Sequence, residues 1–185
     1  PNYTQSKLNE GYVRLALGEL EIGWKFLERR FDDEDRSKLM RYKMDKLWDG
    51  NYLDGTLLVW GEQGIGDHLL YASMLTDLRK YAKNIILEID KRLLNLFKRY
   101  YEKINFSNIE VINLEEKPVN NFDKHIAIGS LGQYLRKTKK SFKTTPKKYF
   151  FPSPEKEKEL RNKFFTNKKF KVGISWKSTN KKHQY

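Results

Sequence analysis

The sequence predicts an α/β protein with a Rossmann-like, mostly parallel sheet preceded by an α-helical hairpin. Three observations predict this class. Short apolar runs alternate with amphipathic segments from residue 56 onward, a glycine-rich loop follows the first run, and residues 6–30 have apolar positions at helical spacing. Strand, glycine loop and helix in that order are typical of α/β units, whose parallel strands are joined by right-handed crossovers.

The hairpin comes first in the chain. In residues 6–30 apolar side chains recur at steps of three and four residues, and Gly18 interrupts the pattern, which predicts two helices. Gly11, Gly18 and Gly23, followed by Trp24, lie at the small-residue offsets of a tetratricopeptide repeat. An ordinary helical hairpin fits equally well. In either case the pair must pack its apolar face on another part of the protein, or on further repeats.

The alternation of strands and helices then continues. Strands are predicted at residues 56–60, 84–89, 109–114, 124–128 and 171–176, and helices at 68–81, 91–101, 130–136 and 154–165. Three prolines between residues 146 and 154 mark a boundary. We therefore expect a hairpin that ends a repeat array (1–47), a Rossmann-like domain (48–152), and a linker helix with the first strand of a truncated second domain (153–185).

Composition excludes several kinds of site. The 185 residues contain no cysteine, which excludes disulfides, thiolate-bound metals and thiol nucleophiles. The three histidines are far apart and no Asp-x-Asp pair follows a strand, so we expect no metal or other cofactor. No apolar run reaches the ~18 residues of a membrane span, and the chain does not begin with a secretory signal pattern. We therefore expect a cytoplasmic location.

The net charge of +13 comes almost entirely from the second half of the chain. Lysine and asparagine are abundant and alanine is rare throughout, which favours an A+T-rich gene as the main source of this charge. A polyanion-binding segment at residues 136–148 is the alternative, although nucleic acid is not the expected partner. There, basic residues interleave with aromatic ones: Lys137, Lys139, Lys140, Lys143, Lys147 and Lys148 with Tyr134, Phe142 and Tyr149.

The glycine-rich loop at residues 61–67 is the candidate ligand site. It reads Gly-Glu-Gln-Gly-Ile-Gly-Asp directly after the first predicted strand, and open parallel sheets bind ligands beyond the carboxyl ends of their strands. The pattern differs from that of dinucleotide binders and lacks the Lys-Ser/Thr ending of phosphate-binding NTPase loops. The candidate binding residues are Gly61, Glu62, Gln63, Gly64, Gly66 and His68.

Asp67 is the candidate catalytic residue. It stands at the predicted start of a helix, where a carboxylate can cap backbone amides and complement the helix dipole. At the mouth of a cleft the same carboxylate can act as general base for a hydroxyl nucleophile. His68, its neighbour, is either an alternative base or an ordinary surface side chain.

Several segments of the sequence carry a resemblance to a known family. They are Trp48-Asp49-Gly50, residues 57–67, 123–131, Tyr149-Phe150 and 172–177, together with residues 18–24 and 28–30 of the hairpin. These segments resemble a bacterial family in which tetratricopeptide repeats, the last of them matched by the hairpin segments, are joined to a glycosyltransferase domain similar to the heptosyltransferases of lipopolysaccharide synthesis. The similarity spans nearly the whole chain and is most specific in the glycine-rich loop.

This resemblance implies a GT-B architecture, in which a first Rossmann-like domain holds mainly the acceptor and a second holds a nucleotide-sugar donor. It assigns Asp67 as the base that deprotonates the acceptor hydroxyl, and it places Ser175, Lys177 and Ser178 near the donor phosphates. The implied activity is metal-free transfer of a hexosyl or heptosyl group to a glycan or protein. We expect this chain to hold an acceptor half-site without turnover by itself. At the position of His68 the family usually has a smaller or acidic residue.

Two other functions remain open. The helical repeats can recruit a protein partner to a scaffold whose α/β unit is catalytically inert. Alternatively, the basic 136–148 segment can make the chain a polyanion-binding module.

Overall fold

The computed structural model describes residues 3–32, 40–62, 64–167 and 169–174. The chain divides into two compact units, Pro1–Phe151 and Pro152–Tyr185. The first unit contains helices α1 (Thr4–Leu17), α2 (Leu20–Leu27), α3 (Ile65–Leu75), α4 (Leu94–Lys103) and α5 (Gly132–Leu135), and strands β1 (Leu53–Trp60), β2 (Ala82–Ile89), β3 (Ile109–Asn113) and β4 (Lys124–Ala127). The second contains helix α6 (Pro154–Phe164). In the described part of the chain, no helix combines the length and apolar character that crossing a bilayer requires.

The four strands form one parallel sheet in the order β3-β2-β1-β4, which confirms the predicted α/β class. β1 lies between β2 and β4, with Val59 opposite Leu87 on one side and Ile126 on the other. Residues 57–60 of β1 are all buried, as expected for a parallel strand that is covered on both faces. The larger core lies on the face covered by α3 and α4.

Loops, and not a helix, cover part of the opposite face of the sheet. There the aromatic rings of Tyr42 and Phe122 meet edge to face with centroids 5.2 Å apart, and both pack over Trp60 and its neighbours. The Trp60 indole donates to Nδ1 of His125 at 3.2 Å, so His125 carries its proton on Nε2, which donates to the Lys43 carbonyl at 2.7 Å. These hydrogen bonds fix the loop at residues 40–48 against β4.

The hairpin forms as predicted, and its glycines lie where two helices touch. Gly18 ends α1 with a positive φ of 81°. A residue with a Cβ adopts this backbone conformation only with strain. A Cβ on Gly11 would lie 3.1 Å from the backbone of Leu27, and one on Gly23 would lie 2.9 Å from that of Leu15. The close approach of α1 and α2 therefore depends on these small residues.

Trp24 attaches the hairpin to the α/β part of the same unit. Its indole donates to the Arg136 carbonyl at 2.9 Å, and its ring lies against Gly132 at the start of α5. The apolar face of the hairpin is thus buried on the domain that follows it in sequence.

In the second unit, the described residues 171–174 do not form the strand predicted over residues 171–176. Helix α6 of this unit is capped by Ser153, whose hydroxyl accepts from the Lys156 amide at 3.3 Å. Residues 171–174 are irregular, and Val172 and Ile174 are 71% and 74% exposed. A strand requires a neighbouring strand to pair its backbone, and the described part of this unit offers none. Residues 175 and 176 lie outside the described residues.

Substitution of Gly132 tests the contact between hairpin and domain. A Cβ at Gly132 would lie 2.4 Å from the Trp24 ring, whereas one at Gly66 would meet nothing within 4 Å. We expect Gly132→Ala to lower the free energy of unfolding by about 1–3 kcal/mol relative to Gly66→Ala, because overpacking strains a buried contact. Both positions are helical, so the intrinsic helix preference for alanine over glycine is the same in the two variants and cancels in the comparison. Urea denaturation measures the difference, and equal stability of the two variants would contradict the packing described.

Candidate functional site

The topology brings the glycine-rich loop to the edge formed by the carboxyl ends of the strands. Gly61 follows β1, Asp90 follows β2 and Ile128 follows β4, so these three positions share one edge of the sheet. The chain moves from β1 to β2 on one side and returns to β4 on the other, which makes the gap between β1 and β4 the topological switch point. Open α/β sheets bind their ligands there.

Arg30 of the hairpin lies at this switch point. Its guanidinium donates to Glu62, which follows β1, through Nε to Oε2 and through Nη2 to Oε1, both at 2.7 Å. Nη2 also donates to the Ser130 hydroxyl, after β4, at 2.7 Å. The Arg30 and Glu62 side chains are only 2% and 4% exposed. A buried two-pronged ion pair therefore joins the hairpin to the ends of both strands.

All five N–H donors of Arg30 have partners. Besides the three bonds already described, Nη1 donates to the Leu27 carbonyl at 3.0 Å and to Oε1 of Glu28 at 2.7 Å. Burial alone would lower the pKa of Arg30, but the carboxylates of Glu62 and Glu28 raise it above its ordinary value. The guanidinium stays charged, and the carboxylates offset the cost of burying that charge.

The Glu62 carboxylate, which the sequence predicts to bind substrate, is bound by groups of the protein itself. Its Oε1 also accepts from the Gly129 amide at 3.0 Å, so both carboxylate oxygens are engaged inside the protein. The sequence placed Glu62 in a ligand loop, but its partner lies 32 residues upstream, on an element whose packing the sequence did not reveal.

Asp67 occupies the third position of α3 and caps the helix. Its Oδ2 accepts from the Gly64 amide at 3.1 Å, which confirms the predicted interaction with the helix N-terminus. The side chain is half-buried, and its Oδ1 has no hydrogen-bond partner in the described residues. A Cβ on Gly66 would meet nothing within 4 Å, so the outer side of this turn is open.

His68 is turned inward, which contradicts the surface side chain that the sequence offered as one alternative. It is 1% exposed, and its Nδ1 accepts from the Asp90 amide at 3.4 Å, so Nε2 carries the proton. Nε2 has no partner among the described residues and lies against Gly61, where a Cβ would be 2.3 Å away. Burial lowers the pKa of His68 and keeps the imidazole neutral. His68 is thus neither an exposed base nor a surface side chain.

Two residues near the loop were missed by the sequence reasoning. Asp90 accepts from Nε and Nη2 of Arg92 at 2.9 and 2.7 Å, and these bonds lower the pKa of Asp90. Tyr71, one helical turn after Asp67, packs against the hairpin core, and burial raises its pKa to about 12. An acidic residue directly after a strand was the available signal for Asp90. The position of Tyr71 in an apolar helical pattern gave none.

The remaining predicted site residues cannot be placed. Gln63, Ser175, Lys177 and Ser178 lie outside the described residues. Among the residues that are described, no group of three or more His, Asp or Glu side chains could hold a metal ion.

The fold and the site together define an α/β protein with a Rossmann-like parallel sheet and a polar loop at its switch point. The chain is similar to Protein FlbA of Caulobacter vibrioides, with 28% identity over 180 residues. The match covers 90% of this chain but only 30% of FlbA, so the chain spans about a third of that relative's length. No protein-family model matches the chain, and no solved structure does.

Substitution of Arg30 tests the buried ion pair. Arg30→Met retains the length of the side chain but leaves the Glu62 carboxylate buried without its cation. We expect the free energy of unfolding to fall by about 3–5 kcal/mol. Arg29→Met is the matched control, because Arg29 pairs with Asp32 on the surface and both side chains are nearly half exposed.

Urea denaturation measures both variants and the double variant Arg30→Met/Glu62→Gln. We expect the double variant to recover part of the loss, since the uncompensated charge is removed. Similar stabilities for Arg30→Met and Arg29→Met would show that the buried pair does not support the fold.

The buried histidines predict a pH dependence of stability. His68 and His125 have lowered pKa values because burial disfavours their charged forms. Below the unfolded pKa of about 6.5 the unfolded chain binds protons that the folded chain does not, so stability falls as pH decreases from about 7.5 to about 5.5.

His68→Asn isolates the contribution of one of these histidines. The asparagine Oδ1 can accept from the Asp90 amide as the histidine Nδ1 does, but the asparagine side chain does not titrate. We expect the pH slope of the unfolding free energy to decrease by up to about 1.4 kcal/mol per pH unit. Denaturant titrations of the wild type and the variant at about pH 7.5 and about pH 5.5 give the two pH slopes. The other titrating groups are common to both proteins, so their contributions cancel in the difference. An unchanged slope would refute a neutral buried His68.

Proposed function

We propose that this chain is the acceptor-side half of a GT-B glycosyltransferase, with Asp67 as its general base. In this proposal a hexosyl or heptosyl group passes from a nucleotide sugar to a hydroxyl of a glycan or protein. One observation carries the proposal. The Asp67 carboxylate stands at the ligand-binding edge of a parallel sheet, with one oxygen held by the Gly64 amide and the other without a partner in the described residues.

The proposed step uses the unpartnered oxygen. Oδ1 accepts the proton of the acceptor hydroxyl while the hydroxyl oxygen attacks the anomeric carbon of the donor sugar. The bond from that carbon to the nucleoside diphosphate breaks, and the diphosphate leaves with the electron pair. Attack from the face opposite to the leaving group inverts the configuration of the sugar.

The loop is held at both of its ends, which supports a positioning role. Glu62 near its start is bound by Arg30 and the Gly129 amide, and Asp67 at its end is bound by the Gly64 amide. A base that is already in place loses little conformational entropy when the acceptor arrives.

The donor, the location and the cofactors are part of the same proposal. The nucleotide sugar is a co-substrate, whose phosphates would meet Ser175 and Lys177, and the mechanism includes no resident metal or other cofactor. A cytoplasmic location agrees with the cysteine-free composition, since reducing compartments do not rely on disulfides.

A second candidate function is a protein-interaction scaffold, and the outer face of the hairpin favours it. Val13 and Leu17, one turn apart on α1, are 58% and 67% exposed. Exposed apolar side chains in a group are typical of surfaces that bind another protein. The two functions are compatible if the hairpin recruits a protein acceptor.

Asp67→Asn in the full-length gene product tests the catalytic role. Asparagine can still accept from the Gly64 amide through Oδ1, so the helix cap survives while the base is lost. We expect sugar transfer, followed as nucleoside diphosphate release across a panel of donors and acceptors, to fall by 10²–10⁴-fold, the usual contribution of a general base. Thermal unfolding should be unchanged.

Asp54→Asn is the control, because Asp54 is an exposed carboxylate that pairs with Lys83 at the other end of β1. Asp67→Ala removes the cap as well and should lower both activity and stability. Transfer at wild-type rates by both Asp67 variants would exclude the base role. A lack of transfer by the wild-type protein across the panel would favour the scaffold.

A further inference from the structure

The segment after β4 is far more basic than the composition of the chain explains. Residues 128–154 contain no aspartate or glutamate, and residues 136–148 contain six lysines and one arginine. Lysine makes up 27 of 185 residues overall, so a segment of this length would hold about two by composition alone. The excess is therefore local to this segment.

Four of these six lysines belong with Lys80 to one surface, which we define as Lys80, Lys137, Lys139, Lys140, Lys143 and Phe142 and call the basic surface. All five lysines are exposed. Lys80 and Lys137 line the same hollow of about 240 Å³, although they are distant in sequence. Lys139, Lys140 and Lys143 lie on the short 3₁₀ helix Lys139–Thr144.

The acidic residue beside the basic surface does not neutralise its lysines. Asp77 also lines the hollow, but it is held by Arg136, whose Nη1 donates to its carboxylate at 2.6 Å. Arg136 itself is 1% exposed, so it neutralises Asp77 from inside the protein. The exposed charge is carried by lysine.

The basic surface lies away from the candidate active site. Lys80 stands just before β2 begins, at the amino-terminal edge of the sheet, whereas Asp67 is at the carboxyl-terminal edge. Helix α3 separates the two edges, and its 11 residues span about 16 Å. A partner bound to the basic surface therefore leaves the glycine-rich loop open.

The aromatic residues of this segment do not form a platform for nucleic-acid bases. The Tyr134 hydroxyl donates to the Trp48 carbonyl at 3.1 Å, and Tyr149 packs on Phe150. Phe142 is the exposed one of the three, with 45% of its surface accessible, and the other side of its ring lies against the buried Arg136 guanidinium at 5.6 Å. Single-stranded nucleic acid is bound by several stacking rings, whereas one apolar side chain among lysines suits the boundary between headgroups and acyl chains.

We infer that the basic surface binds the anionic headgroups of a phospholipid membrane, with Phe142 inserted at the interface. Lysine ammonium groups attract a negatively charged surface without requiring the planar geometry that arginine provides. The protein then lies against the membrane without crossing it. This inference is independent of the proposed transferase activity.

Vesicle sedimentation tests the inference. We expect the protein to bind vesicles of phosphatidylcholine mixed with phosphatidylglycerol, not vesicles of phosphatidylcholine alone, and to be released by added salt. The triple variant Lys139→Gln/Lys140→Gln/Lys143→Gln should bind about 100-fold more weakly, since each lysine near an anionic surface contributes about fivefold. Phe142→Ala should weaken the binding that persists at high salt.

The matched control is Lys156→Gln/Lys158→Gln/Lys163→Gln, which removes the same charge from exposed positions of α6. It should retain near wild-type binding, and all variants should keep the wild-type thermal unfolding transition. Equal loss in both triple variants would show that net charge, and not this surface, causes binding. Equal binding to neutral vesicles, or tighter binding to a single-stranded oligonucleotide at the same salt concentration, would also overturn the inference.

Discussion

The ion pair between Arg30 and Glu62 is the constraint on which the rest of the structure depends. A guanidinium buried to 2% exposure is tolerable only because carboxylate, hydroxyl and carbonyl oxygens meet each of its five N–H groups. These oxygens come from the hairpin, from the loop after β1 and from the turn after β4. The three segments therefore stabilise one another. Without the hairpin or the loop a buried charge would lose its partner, and without the turn an N–H group of Arg30 would lose its acceptor.

This constraint also explains why the hairpin belongs to the α/β unit. Trp24 and Arg30 lie on its inner side and bond to parts of the chain that are about 100 residues away, at Arg136 and Ser130. The buried Arg30 and Glu62 side chains fill the switch point of the sheet, whereas a Cβ at Gly66, beside Asp67, would meet nothing within 4 Å. A displacement of the hairpin would move the Arg30 guanidinium and, through it, Glu62 of the glycine-rich loop.

The sequence was informative about elements and much less so about partners. Apolar periodicity located β1 to β4 and α1 to α4, since it reports which faces must be buried. It could not show that Glu62 and His68 turn inward, because a polar residue in a glycine-rich loop looks the same whether its partner is a ligand or a distant side chain. The loops over Trp60 were missed for a related reason, as Tyr42 and Phe122 follow no regular period. Residues 171–174 do not form the strand predicted over 171–176, because periodicity does not report whether a neighbouring strand exists.

Two glycines of the loop, Gly61 and Gly66, have opposite surroundings, and this difference shows where a reporter group can be attached. Gly61 faces the imidazole of His68 with no room for a side chain, whereas Gly66 faces open space beside Asp67. Since the chain contains no cysteine, a thiol introduced at Gly66 would be unique in it. A fluorophore or spin label attached there would report directly on whatever approaches the carboxylate.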